Sequence, residues 1–214
     1  MLQKIPVNPD ILINITYDLM PGTPELTALG RKATPALVKG LLDNASDSVR
    51  GLCASVLAET RDPDAAAALV EALGDRSSGV RYSAIYGLGN LALPQYGKHL
   101  LARITDPEET SYVKQAAIDA IGKMGYSAAL KTLFGLVRSD QARDLQWSAL
   151  NALWYMRNRV DRDDLVDVFM YVLKKNQSGA ALAIDHLGSL KASEASRTLA
   201  EYYVGRNENI KNRI

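Results

Sequence analysis

The sequence predicts an all-α chain built of stacked helix pairs, and three observations carry that expectation. Apolar residues recur at helical spacing, with no strand-like alternation. Five amphipathic stretches repeat: SVRGLCASVLAET (48–60), GVRYSAIYGLGNL (79–91), YVKQAAIDAIGKM (112–124), DLQWSALNALWYM (144–156) and SGAALAIDHLGSL (178–190). They align on Val49, Val80, Val113, Leu145 and Gly179, at intervals of 31, 33, 32 and 34 residues. A second amphipathic segment precedes each, so the unit is a helix pair, A then B. One such pair cannot hide its apolar face alone, which is why units of this size stack.

The elements follow in order. Residues 1–33 differ from the rest, with Pro6, Pro9, Pro21 and Pro24 around the apolar run Ile11 to Ile15. We read them as an extended lead and then a short capping helix from Pro24, with Thr23 as its cap. The repeat domain is expected over 34–214, with units at 34–61, 62–93, 94–125, 126–160 and 161–192 and a partial one at 193–214. The A segments run over 35–42, 64–73, 95–104, 128–137, 163–173 and 194–204. Thr34-Pro35, Asp62-Pro63 and Asp106-Pro107 each place a capping oxygen before a proline suited to a first helical position. After Gly205, Asn209 to Ile214 reads as the opening of a sixth B helix, Ile210 standing 31 residues after Gly179. A solenoid end needs a polar cap. The unfinished last repeat is therefore expected either to continue in a longer protein or to be closed by a partner, self-association included.

Composition excludes several function classes. With 214 residues, 47% of them hydrophobic and 23% charged, the chain can bury a core without staples. Its 25 Lys and Arg against 24 Asp and Glu leave a net charge of +1, so no global field draws it to nucleic acid or anionic lipid. The run Ile11 to Ile15 is too short for membrane insertion or a secretory segment, and a cytoplasmic location is the default. Cys53 is the one cysteine and His99 and His186 are the two histidines, a poor supply for disulfide, redox or metal chemistry. No cofactor and no metal are expected.

The repeat wording is more specific than its period. LLDNASDSVR (41–50), LGDRSSGVR (73–81), ITDPEETSYVK (104–114) and VRSDQARDLQ (137–146) share a short A helix, an acid in the turn and an Ala-rich B helix, and KKNQSGA (174–180) is a weaker copy without the acid. Such units resemble HEAT-like repeats of the short kind named after phycobilisome lyases, armadillo-like in architecture, from about Thr34 onward. The resemblance implies a right-handed α-solenoid of about five to six HEAT-like helix pairs. It implies a protein that binds other macromolecules as a scaffold. Lyase activity belongs to a minority of such proteins, and no catalytic residue carries over.

Counting from the aligned residue as zero, positions 0, 4, 5 and 8 of each B helix fall within about 140° of arc and are small or apolar, so they form the core. Cys53, at position 4, reads as a small buried hydrophobe. Position 1 lies in the same arc yet holds Arg50, Arg81, Lys114 and Gln146, and a buried charge must be paired. Asp43, Asp75, Asp106 and Asp140 lie six to eight residues earlier in each turn. We therefore expect a structural acid-to-base ladder joining successive repeats, formed by Asp43, Arg50, Asp75, Arg81, Asp106 and Lys114. Gln146 interrupts it.

Positions 2, 6 and 10 point away from the core, toward the concave surface expected of such stacks. They include Tyr82, Tyr86, Asn90, Asp119, Lys123, Trp147, Asn151, Tyr155 and Asp185, with Trp154 at the border. Tyrosine and tryptophan on that side bury nothing by themselves and are the types enriched in binding hot spots. The expected occupant is a protein or peptide. An enzymatic alternative is a HEAT-like alkylpurine DNA glycosylase, with Trp147, Trp154 and Asp119 or Asp185 around a lesion, or a phycobilin lyase. The stripe holds too few cations for a duplex, which argues against nucleic acid. No phosphate loop or nucleophile motif is present, and His99 and His186 are expected at the surface or an edge.

Overall fold

The computed structural model describes residues 24–175 and 179–211, with side chains over 32–140, 142–175 and 179–204. These residues form eleven α-helices and no strand. In order they are α1 (Pro24–Asp43), α2 (Asp47–Thr60), α3 (Ala66–Ala72), α4 (Ser78–Leu91), α5 (Gly97–Thr105), α6 (Ser111–Met124), α7 (Leu130–Arg138), α8 (Arg143–Tyr155), α9 (Arg162–Lys174), α10 (Ala180–Ser189) and α11 (Ser196–Lys211). Odd-numbered helices are A and even-numbered ones B. The chain divides into two compact units, 1–124 and 125–214.

In the first unit, α1 packs on α2, α3 on α4 and α5 on α6, while α2, α4 and α6 stack side by side. The B-helix core positions explain this. Cys53, Ala54, Leu57, Val80, Ala84, Ile85, Leu88, Val113, Ala117, Ile118 and Ile121 are all buried. Small residues let the B helices approach closely. A methyl placed on Gly89 would lie 3.0 Å from the Ala120 Cβ, and one on Gly87 2.9 Å from Leu69 Cδ1. Burial pushes the Cys53 thiol up to about 11, and its Sγ fills the space a side chain at Gly40 would need.

In the second unit α7 packs on α8 and α9 on α10, and α9 also meets α7 and α11. Its core holds Leu145, Ala149, Leu150, Leu153, Phe169, Ala183 and Leu187.

Four A helices begin with a single 3-10 turn, Pro63–Ala65, Pro94–Tyr96, Ser127–Ala129 and Ser193–Ala195. Each turn brings a small residue into the core: Ala65, Gly97, Ala129 or Ala195. Asp62 caps the first of these by accepting from the Asp64 N–H at 3.2 Å.

Three local expectations are corrected. The capping helix and the first A helix are one helix, with Pro35 inside it. The boundary expected between 33 and 34 therefore falls mid-helix, and the Thr34 hydroxyl donates to buried Asp62 at 2.7 Å instead of capping. Asp106-Pro107 opens the turn between α5 and α6, not a helix, and Asp106 accepts from the Glu108 N–H at 3.0 Å. The break expected after Val204 is absent too, since α11 runs unbroken to Lys211. The extended lead, the Thr23 cap and residues 212–214 lie outside the described residues.

Candidate functional site

The buried bases come first, because they fix the loops between helices. Arg50 Nε and Nη2 donate to the two oxygens of Asp75 at 2.7 and 2.9 Å, and its Nη1 donates to the carbonyls of Asn44 and Ala45. Arg81 repeats the arrangement one unit on: Nε and Nη2 donate to Glu109 at 2.8 and 2.7 Å, and Nη1 to the carbonyls of Asp75 and Arg76. Each arginine thus pins its own A–B loop and grips the acid of the next one. Hydrogen bonding from Arg50 holds the Asp75 carboxyl below its usual range. Burial works against Glu109, but hydrogen bonds from Arg81 and Thr110 keep its carboxyl low as well.

The sequence-based pairing is corrected in register. Arg81 takes Glu109, not Asp75, because the partner acid comes from the following loop. Asp106 instead pairs with Arg103 at 3.3 Å. Asp43 is exposed at the end of α1 and takes no part in these bonds. Lys114 is half-buried and makes no ion pair among the described residues of its own unit. Asp140 pairs with Arg143 at 4.0 Å, both largely exposed.

On the outward face of the first unit, Tyr82 is 43% exposed, Tyr86 42% and Tyr112 43%. Tyr82 and Tyr112 meet at 5.9 Å between ring centroids, tilted by 42°. Lys123 Nζ lies 5.6 Å from the centre of the Tyr86 ring. Asp119, one turn before Lys123, is half-buried; burial raises its pKa and Lys123 partly offsets this. Asn90 is tied to the neighbouring B helix through a 3.2 Å bond to the Ala58 carbonyl.

The outward face of α8 in the second unit carries Trp147, 53% exposed, and Tyr155, 61% exposed, with half-buried Asn151 between them. Asp185 is exposed on α10. Trp154 belongs elsewhere. It stacks on His186 with centroids 3.9 Å apart and planes within 9°, and meets Phe169 edge-on at 6.3 Å. The Arg157 guanidinium sits 4.9 Å from its ring centre. His186 is 8% exposed, against the expected surface position, and its Nε2 has no hydrogen-bond partner. Burial lowers its pKa; Asp185 opposes this and Arg157 adds to it.

Tyr112 was missed by the position-2, 6 and 10 stripe, although a helical wheel contains the signal. At 100° per residue, the position before the aligned valine falls between positions 6 and 10. The Trp154–His186–Phe169 cluster has no such signal, because it joins three helices. Among the described residues no group of three or more His, Cys, Asp or Glu is placed to hold a metal ion. None of their helices is long and apolar enough to cross a membrane.

Helix pairs whose B members stack through small residues, linked loop to loop by buried arginines, define an α-solenoid of repeats. Residues 34–112 match the family model of HEAT repeats, and the fold is that of stacked HEAT-like helix pairs. A chain in the structure of the complex of CpcE and CpcF of phycocyanin lyase from Nostoc sp. PCC7120 is similar at 19% identity and a TM-score of 0.53. That match covers 82% of this chain and 73% of the other. A crystallised engineered protein is similar at 20% identity and a TM-score of 0.52, covering 78% of this chain and 87% of its own. At these identities the likeness is one of fold. Among curated proteins none matches the sequence.

Proposed function

We propose that this protein is a non-catalytic interaction scaffold that binds a peptide or protein on the outward face of its B helices. One observation carries the reading: Trp147 and Tyr155 stand 53% and 61% exposed on α8 while Leu145, Ala149, Leu150 and Leu153 fill the core from the opposite side of the same helix. Exposed tryptophan and tyrosine on a rigid helix, two turns apart, are the residue types and geometry of a hot spot. Half-buried Asn151 between them adds an amide that can both donate to and accept from a partner's backbone.

The test is partner capture from native lysate by wild type and by a Trp147→Ala/Tyr155→Ala variant, after circular dichroism shows both folded. A protein bound by wild type and lost with the variant supports the scaffold. Equal capture by both removes α8 from the interface. Recovery of a damaged nucleic acid or a bilin instead would turn the reading toward the glycosylase or lyase alternative.

A further inference from the structure

The first unit's B-helix face carries a carboxylate whose charge is poorly matched. Asp119 is half-buried on α6, and among the described residues no hydrogen bond or ion pair reaches its oxygens. The cation on its own helix face is Lys123, whose ammonium lies over the Tyr86 ring at 5.6 Å. Around them Tyr82, Tyr86 and Tyr112 keep 42 to 43% of their surface open. Glu59, at position 10 of α2, is half-buried on the same face. Two acids and one lysine already engaged with a ring leave this face net negative and aromatic.

That combination selects a partner. A partly dehydrated carboxylate gains most from a cation that replaces the lost water. Tyrosine faces attract the same cation through their ring quadrupole and cover the methylenes of its stem. An acidic segment would meet Asp119 and Glu59 with like charge, and a nucleic-acid backbone would find one lysine where several phosphate contacts are needed. We propose that this face docks an extended basic segment of a partner protein, with an arginine or lysine side chain set against Asp119 and its stem laid on Tyr86 and Tyr82. The proposal rests on the B-helix face being an interaction surface and adds the charge of its occupant.

The probe is a fluorescein-labelled peptide of alternating Gly and Arg, with a Gly and Glu peptide of equal length beside it, followed by fluorescence anisotropy. The Arg peptide is expected to saturate the full chain and the Glu peptide to show no binding. Asp119→Asn is expected to weaken the Arg peptide about tenfold, the loss of one member of a partly dehydrated charge pair. Its Tm should stay level or rise, since a poorly solvated charge is removed. Tyr86→Ala should weaken binding as well, and Lys123→Met should strengthen it by removing a competing cation. Equal affinity of wild type and Asp119→Asn, or preference for the Glu peptide, would overturn the proposal. The scaffold reading is tested separately, by partner capture with the Trp147→Ala/Tyr155→Ala variant, so failure of the Arg peptide alone overturns only the charge of the occupant.

Discussion

Removing Arg81 tests how the first unit is held together. Its guanidinium gives Glu109 two hydrogen bonds of 2.8 and 2.7 Å, and the Glu109 side chain is 1% exposed. Arg81→Ala leaves that carboxylate with the Thr110 N–H at 2.8 Å, the Thr110 hydroxyl at 3.3 Å and the Arg103 guanidinium at 3.8 Å. Breaking a buried pair from one side costs about 3–5 kcal/mol. The contacts Glu109 retains place this case at the lower end, about 3 kcal/mol, or a fall in Tm of roughly 6–12 °C for a chain of this size. Urea denaturation followed by circular dichroism measures it. The double variant Arg81→Ala/Glu109→Ala should lose less than the two single losses added, by about 1–3 kcal/mol, because no orphan charge remains. The same cycle run with Asp75→Ala should show stronger coupling to Arg50, which holds its carboxylate, than to Arg81, which meets only its carbonyl. A cost below about 1 kcal/mol for Arg81→Ala, or additivity with Glu109→Ala, would refute the inter-repeat pair.

Five further substitutions test the packing. The folded pKa of His186 is lowered from 6.5, so the unfolded chain takes up its proton first. Stability should be full above that pH and fall as pH drops through it, by at most about 1.4 kcal/mol per pH unit, and His186→Phe should flatten a plot of Tm between pH 8 and 5. Gly135→Ala should stabilise α7 by about 0.5–1 kcal/mol through helix propensity, since its new methyl meets nothing within 4 Å. Gly89→Ala, with Ala120 Cα at 3.3 Å from the new carbon, should cost about 1–3 kcal/mol by forcing α4 and α6 apart; thermal melts decide both. Trp147→Ala should change stability by less than about 1 kcal/mol, whereas Trp154→Ala, which empties the stack on His186 and Phe169, should cost about 2–3 kcal/mol.

The helix pairs were legible because a single rule, small or apolar residues at positions 0, 4, 5 and 8, holds across the B helices. Of those positions, Val49 and Ile184 alone are half-buried rather than buried. Pro35 was misread because a proline after threonine is a start signal only where the chain before it is not already helical, and α1 is helical from Pro24. The ladder was legible in residue type and not in register. Sequence proximity favours the acid six or seven residues before each arginine, while the structure uses one 25 or 28 residues after it. Stacking brings the next loop under the guanidinium fork, and no pattern within one repeat encodes that distance. Trp154 was assigned to the stripe by angle alone, but a side chain this large at the stripe's border reaches α9 and α10 instead.

Gln146, two repeats past Arg81, shows what the arginine position is for. Each arginine does two things: Nη1 holds carbonyls of its own loop, and the other two nitrogens hold an acid of the next. Gln146 occupies the same position, is 2% exposed, and does the first alone, its Nε2 donating to the Ser139 carbonyl at 2.9 Å. A neutral amide leaves no buried charge to be matched, so the following A–B loop needs no carboxylate. In sequence the residues after α9, Lys175-Asn176-Gln177-Ser178-Gly179, include no acid. The loop-holding bond is therefore the part of the device kept in both units, and the inter-repeat charge pair is the separable part, dropped from both sides at once because half of it would be worse than none.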